Sequence, residues 1–161
     1  MASDATTTVN ERGFMRGITR NVVLLGVVSF FADVSSEMVY AIIPLFLTGT
    51  LGAPVLAVGI IEGVAESTAS LLKLVSGWYS DRIRKRVPFT AAGYALAAIA
   101  KPLLAAAVAW PMVLGARFVD RSGKGLRTAP RDALLAASTE PATRGRAFGL
   151  HRSMDSAGAI A

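Results

Sequence analysis

Ionic side chains recur in this sequence at spacings that put them on common helix faces. Asp33 and Glu37 stand four residues apart, and so do Glu62 and Glu66. The stretch RFVDRSGKGLRTAPRD, Arg117 to Asp132, holds seven charged residues in sixteen positions. His151, Arg152 and Asp155 form a last group. Carboxylates and an imidazole can take up and release protons, and guanidinium groups orient anions. Such a mixture can relay protons, hold a polar solute, or pair internally.

Other chemistries fit less well. SGKG lacks the Walker A pattern, because Gly125 rather than Ser or Thr follows Lys124 and Phe118 stands where the first glycine belongs. Gly123 and Gly125 instead suit close helix contact. With no cysteine and one histidine in the chain, neither a thiolate nucleophile nor a zinc site is expected. No serine has the partners of a hydrolase triad. The chain is therefore read as a non-enzyme without metal or cofactor. His151 on its own reads first as a hydrogen-bonded interior residue.

The elements that must carry these charges are strongly apolar. Of 161 residues 53% are hydrophobic, with a mean hydropathy of +0.50, which points to a bilayer rather than a soluble core. Apolar runs cover about residues 21–48, 54–79, 87–107 and 110–137, and a fifth starts near 146 and is cut off at 161. Each complete run approaches or exceeds the ~20 residues that cross a hydrocarbon core as helix. The fold class expected is all-α, a polytopic transmembrane bundle. Pro54, Pro88, Pro111 and Pro141 lie where a first helical turn would start, whereas Pro44, Pro102 and Pro130 fall inside runs and predict kinks.

Residues 1–20 read as a polar tail, not as a cleaved signal. Nine cations sit in the tail, the second connection and the fourth, namely Arg12, Arg16, Arg20, Arg82, Arg84, Lys85, Arg86, Arg144 and Arg146, against none in TGTLGA and VAW. That asymmetry predicts a cytoplasmic amino terminus in a plasma (inner) membrane. It also accounts for the net charge of +6 and the pI near 10.3 without nucleic acid as a partner.

Eight cations and seven carboxylates remain within the runs. Facing lipid at mid-depth, fifteen such groups would cost roughly 40 kcal/mol even on the lenient insertion scale. Lys101 and Arg131 are expected to snorkel; the others must pair or face water inside the protein. Helical geometry supplies the means. Arg117, Asp120, Arg121, Lys124, Arg127, Arg131 and Asp132 fall within an arc of about 140 degrees, and Phe118, Val119, Leu126, Ala129, Ala133 and Leu134 take the other side. Glu62, Glu66 and Lys73 lie within about 40 degrees of each other on their own helix. The residues expected along a hydrated path for solute or protons are Asp33, Glu37, Glu62, Glu66, Arg117, Asp120, Arg121, Lys124, His151, Arg152 and Asp155.

GWYSDRIRKR resembles the major facilitator superfamily signature Gly-x-x-x-Asp-(Arg/Lys)-x-Gly-(Arg/Lys)-(Arg/Lys). Gly77, Asp81, Arg82, Lys85 and Arg86 match it, and Arg84 replaces the usual Gly. ARFVDRSGKGL resembles the fourth-span motif through Arg117, Gly123 and Gly125, with Arg121 where Gly is common. RGRAFGLHRSMDSAGAIA is similar to the start of the fifth span, with Arg144 at the usual Arg. FFADVSSEMVY, DRSGKGLRTAPRDAL and FGLHRSMD further resemble a bacterial branch of exporters.

The resemblance implies a twelve-helix fold of two bundles rocking around a central site, of which this chain would be an amino-terminal fragment. It also implies a gating role for Asp81, which would stabilise closure against a helix of the other half, and for Arg82 and Arg86 in a cytoplasmic network. The function expected is alternating-access transport of a small solute, proton-coupled and outward, with the bilayer and the remainder of the transporter as partners. The alternative reading is a truncated membrane module that assembles without transporting.

Overall fold

A computed structural model describes residues 18–160, and all regular structure among them is helical. Five long helices follow one another: α1 (Arg20–Leu45), α2 (Val55–Ile83), α3 (Arg86–Ala105), α4 (Trp110–Ala137) and α5 (Arg144–Ile160). The reading of a polar tail with Arg12 and Arg16 lies outside the described residues.

Prolines sit where helices start. Pro54 caps α2, Pro88 and Pro111 lie in the first turns of α3 and α4, and Pro141 opens a 3-10 turn before α5. Each lacks an amide that would have had no intrahelical acceptor. The three interior prolines behave differently from one another. Pro44 cannot donate to the Tyr40 carbonyl, and just beyond it the chain widens into a π-helical turn at Phe46–Thr50. Thr48 Oγ1 donates to the Pro44 carbonyl there at 2.8 Å. Through Pro102 and Pro130 the helical winding continues without interruption.

Three helical segments, Arg20–Thr50, Val55–Ile83 and Arg86–Ala105, are long and apolar enough to cross a membrane. Helix α4 has the length, 28 residues, but is too charged to qualify by composition. Its place in a bilayer depends on which way its charges turn. They turn inward: Arg117, Arg121, Arg127 and Arg131 are all buried. The exterior carries the opposite chemistry, with Phe31, Ile42, Leu56, Leu71, Leu74 and Trp78 among its exposed side chains.

Helix α4 is clamped between α2 and α3, while α1 packs along α5. Glycines permit the first arrangement. A Cβ on Gly123 would lie 2.5 Å from the Gly93 carbonyl oxygen of α3, and one on Gly125 2.5 Å from the Ala69 carbonyl oxygen of α2. Ser76 of α2 then reaches the Gly125 carbonyl with its hydroxyl at 3.1 Å. Without a hydrophobic force between helices in lipid, such backbone proximity and interhelical hydrogen bonding supply the association.

The two ends of the bundle are apolar. Ile43, Leu47, Ile61 and Val113 form one cluster, and Val22, Leu135 and Ala147 the other. Between them lies the charged middle. Beyond α2 the chain turns at Arg84, whose φ of 54° and ψ of 23° are left-handed. The glycine of the signature motif would adopt this conformation freely, so the replacement keeps the tight turn at a cost of about 1–2 kcal/mol.

Two outcomes follow for thermal unfolding in detergent. Arg84→Gly should keep or raise the midpoint, whereas Arg84→Val, β-branched in a left-handed site, should lower it. Gly123→Val should destabilise by about 1–3 kcal/mol through overpacking against α3, while Gly149→Ala, with nothing within 4 Å of its Cβ position, should not.

Candidate functional site

The charged face of α4 meets three sets of partners at successive depths. Nearest the Ile43 end, Arg117 is bound to Glu62 of α2 through Nε at 3.1 Å and through Nη2 at 2.8 and 2.7 Å to the two carboxylate oxygens. The arginine side chain is only 2% exposed. Asp120 adds a second carboxylate at 3.6 Å from its Nη1. Tyr40 of α1 lies under both Arg117 and Arg121, with its ring centroid 5.5 and 5.9 Å from their guanidinium carbons. Arg121 is buried and faces Glu66 at 4.0 Å, but that carboxylate is 71% exposed. A bidentate arginine, an extra acid and an aromatic face together meet most of the desolvation cost of Arg117.

One to two turns further along, Arg127 reaches Asp33 of α1 at 3.8 Å and stacks over Tyr94 of α3 at 4.4 Å. Arg131 follows. Its Nη1 donates to Ser29 Oγ at 2.7 Å, and Nη2 lies 3.2 Å from Asp132 and 3.5 Å from Asp155 of α5. Ser29 also bonds the Tyr94 hydroxyl at 3.0 Å. Asp155 is a hub. Its Oδ2 is approached by Arg131, by His151 Nδ1 at 3.5 Å and by Arg152 at 3.9 Å. Since α1 and α5 have few close backbone approaches to α4, these side chains form most of the connection across the seam.

Two cavities open along that seam. One, of about 260 Å³, is lined by residues of α1, α4 and α5 that include Asp33, Glu37, Lys124, Arg127, Arg152 and Asp155. The other, of about 380 Å³, is lined by Glu37, Tyr40, Glu62, Glu66 and Arg121. Glu37 borders both. Asp120 lines a separate narrow crevice with Lys101, Ser36 and Arg117.

The α2–α3 connection is a second site. Asp81 Oδ1 accepts from Arg86 Nη2 at 2.9 Å and from Nε at 3.3 Å, and Arg86 Nη1 also donates to the Ala133 carbonyl of α4 at 3.4 Å. Arg82 lies over the Trp78 ring at 5.7 Å. Gly77 lets α2 approach α4, where a Cβ would meet Ala129 at 3.1 Å. Lys85 caps α3 by position, with no side-chain cap bond.

Several placements depart from the sequence reading. Arg131 does not snorkel; it is buried and held by Ser29, Asp132 and Asp155. Lys73 is exposed and does not join Glu62 and Glu66, because those two turn toward Arg117 and Arg121. Arg152 is 70% exposed. His151 is buried against Asp155, yet its Nε2 has no hydrogen-bond partner among the described residues. Sequence reasoning missed Ser29, Tyr40 and Tyr94. Ser29 lies four residues before Asp33 and Tyr40 three after Glu37, so the same periodicity would have found them; Tyr94 carries no such signal.

Breaking the pair between α2 and α4 should expose its cost. Glu62→Gln is expected to destabilise by about 3–5 kcal/mol by leaving Arg117 buried without its bidentate acceptor, and Arg117→Met by less, because the Glu62 side chain is 27% exposed. The double variant should lose clearly less than their sum, read from unfolding midpoints as a double-mutant cycle.

The profile of the Major Facilitator Superfamily matches residues 25–161. An "uncharacterized MFS-type transporter" of Methanocaldococcus jannaschii is 40% identical over 145 residues, 90% of this chain and 36% of that protein. Uncharacterized proteins of Mycobacterium bovis and Mycobacterium tuberculosis are each 38% identical over 141 residues, 88% of this chain and 34% of theirs. The chain thus spans about a third of the length of the curated relatives it matches. Its apolar helices agree with a membrane-embedded protein. With the signature at Gly77 to Arg86 and the inward charges of α4, these matches lead to one conclusion: the chain belongs to the Major Facilitator Superfamily.

Proposed function

We propose that this chain is the amino-terminal part of a secondary transporter that moves a small solute across the plasma (inner) membrane by alternating access, exporting it in exchange for protons. The observation that carries the reading is the seam between α1–α5 and α4. There ionic side chains border two open cavities inside a bundle whose exterior is apolar. Charge placed so expensively is best accounted for by a polar cargo or a proton path.

In this reading Asp33, Glu37, Asp120 and Asp155 exchange protons or cargo contacts as water enters and leaves. Glu62, Glu66, Arg117, Arg121 and Lys124 border the path. Asp155 is the coupling group, since its Oδ2 lies close to Arg131, His151 and Arg152 at once. A proton on Asp155 removes the charge that holds those three together and frees the seam to rearrange. The pair Asp81–Arg86, with Arg82, belongs to a cytoplasmic gate, and Asp81, with a side chain 61% exposed, is accessible to a helix of the other half. Nine cations in the tail and the second and fourth connections favour a cytoplasmic amino terminus.

A second reading has one observation in its favour: most inward charges already have partners within the chain. On that reading the bundle is an assembly module and the pairs are structural.

The discriminating measurement uses the complete polypeptide in proteoliposomes, with a pH-sensitive dye inside and a panel of small solutes outside. Solute-dependent proton flux is expected. Asp155→Asn should abolish the coupling while leaving solute exchange measurable, and Asp120→Asn should weaken it. Unchanged coupling in both variants rejects the assignments, and absence of any solute flux favours the assembly module.

A further inference from the structure

The ion pairs of the smaller seam cavity leave two formal charges over. Asp33 is matched by Arg127, and Asp132 and Asp155 by Arg131 with Arg152. Glu37 of α1 and Lys124 of α4 line the same cavity of about 260 Å³, and both are half-buried. Neither has an ion-pair partner within 4.0 Å among the described residues. A half-buried carboxylate and a half-buried ammonium that face one space without an ion pair are each costly; Lys124 acts on Asp33 only from beyond ion-pair distance, and Asp33 is already paired with Arg127.

The cavity therefore has one spare anion, Glu37, and one spare cation, Lys124.

From this we infer that the solute is a small zwitterion, its ammonium group held by Glu37 and its acidic group by Lys124. The inference rests on the transport reading and names the cargo class for it. Charge balance is the reason for a dipolar cargo. With Asp132 counted beside Arg131, the four cations of the cavity face four carboxylates. A singly charged solute of either sign would satisfy one spare group and leave the other buried and unmet, whereas a zwitterion satisfies both. The polarity follows from the same residues: Glu37 also borders the second cavity, where Glu62, Glu66 and Tyr40 outnumber the one cation, Arg121, so the ammonium end is placed toward that wall. The volume, about 260 Å³, is somewhat below the roughly 300–1,000 Å³ of ligand pockets and suits a small cargo.

Binding is read separately from flux, so the two ideas fail separately. The complete protein in lipid nanodiscs is offered a panel of neutral amino acids and their dipeptides, each with its N-acetyl and its C-terminal amide form, and retained species are quantified by mass spectrometry. The free zwitterions should be retained roughly tenfold or more over either capped form. Glu37→Gln should erase the discrimination against N-acetyl forms alone, and Lys124→Met that against amides alone. Equal retention of a capped form by the unaltered protein, or no retention of any zwitterion, overturns the inference. Should zwitterions bind as described while proteoliposomes carry nothing across, the transport reading falls and the site remains.

Discussion

Everything in this bundle answers to the cost of an arginine in a low-dielectric interior. Helix α4 brings Arg117, Arg121, Arg127 and Arg131 into the centre, where none can reach bulk water along its own helix. Asp120 and Asp132 of α4 itself meet part of the demand of Arg117 and Arg131, and each neighbouring helix supplies at least one further partner. Helix α2 gives Glu62 and Glu66, α1 gives Asp33, Ser29 and Tyr40, α3 gives Tyr94, and α5 gives Asp155. Because a broken buried pair costs far more than an intact one gains, the demand acts on arrangement more than on net stability. It specifies which helix lies beside α4 and at what depth.

That demand is met on two sides by different physics. Toward α2 and α3, Gly123 and Gly125 bring backbones into contact, and little room remains for anything but small side chains. Toward α1 and α5 the contacts are made by the ends of long side chains, and cavities persist there, one of them walled also by Glu62 and Glu66 of α2. One face of α4 is therefore close-packed and the other is loosely joined by exchangeable charge. Apolar clusters close the bundle above and below this layer. A seam of that kind can loosen without disturbing the helix contacts that hold the fold.

The connection after α2 shows how a sequence motif survives a substitution. Its glycine position is occupied by Arg84, yet the backbone still adopts the left-handed conformation the turn requires. The turn is held because Arg86 ties Asp81 to the Ala133 carbonyl of α4, joining three helices at one end. These groups are partly exposed and individually weak. A joint made from them can open at little cost.

Much of the architecture was legible in the residues themselves. Apolar runs gave five helices, proline positions anticipated where several begin, and the 3.6-residue period put the charges of α4 on one face, because those signals depend only on the local chain. The identity of the partners was not. Arg131 looked able to reach an interface and is instead held by Ser29 and Asp155, residues 102 and 24 positions away in the chain. Lys73 shared a helical face with Glu62 and Glu66 but was left outside when those two turned to α4. Periodicity states which residues share a face of one helix; it is silent on which helix that face meets and at what height. Only the packing of α1 through α5 decided that, and with it which charges were neutralised and that Glu37 and Lys124 were left facing one open cavity.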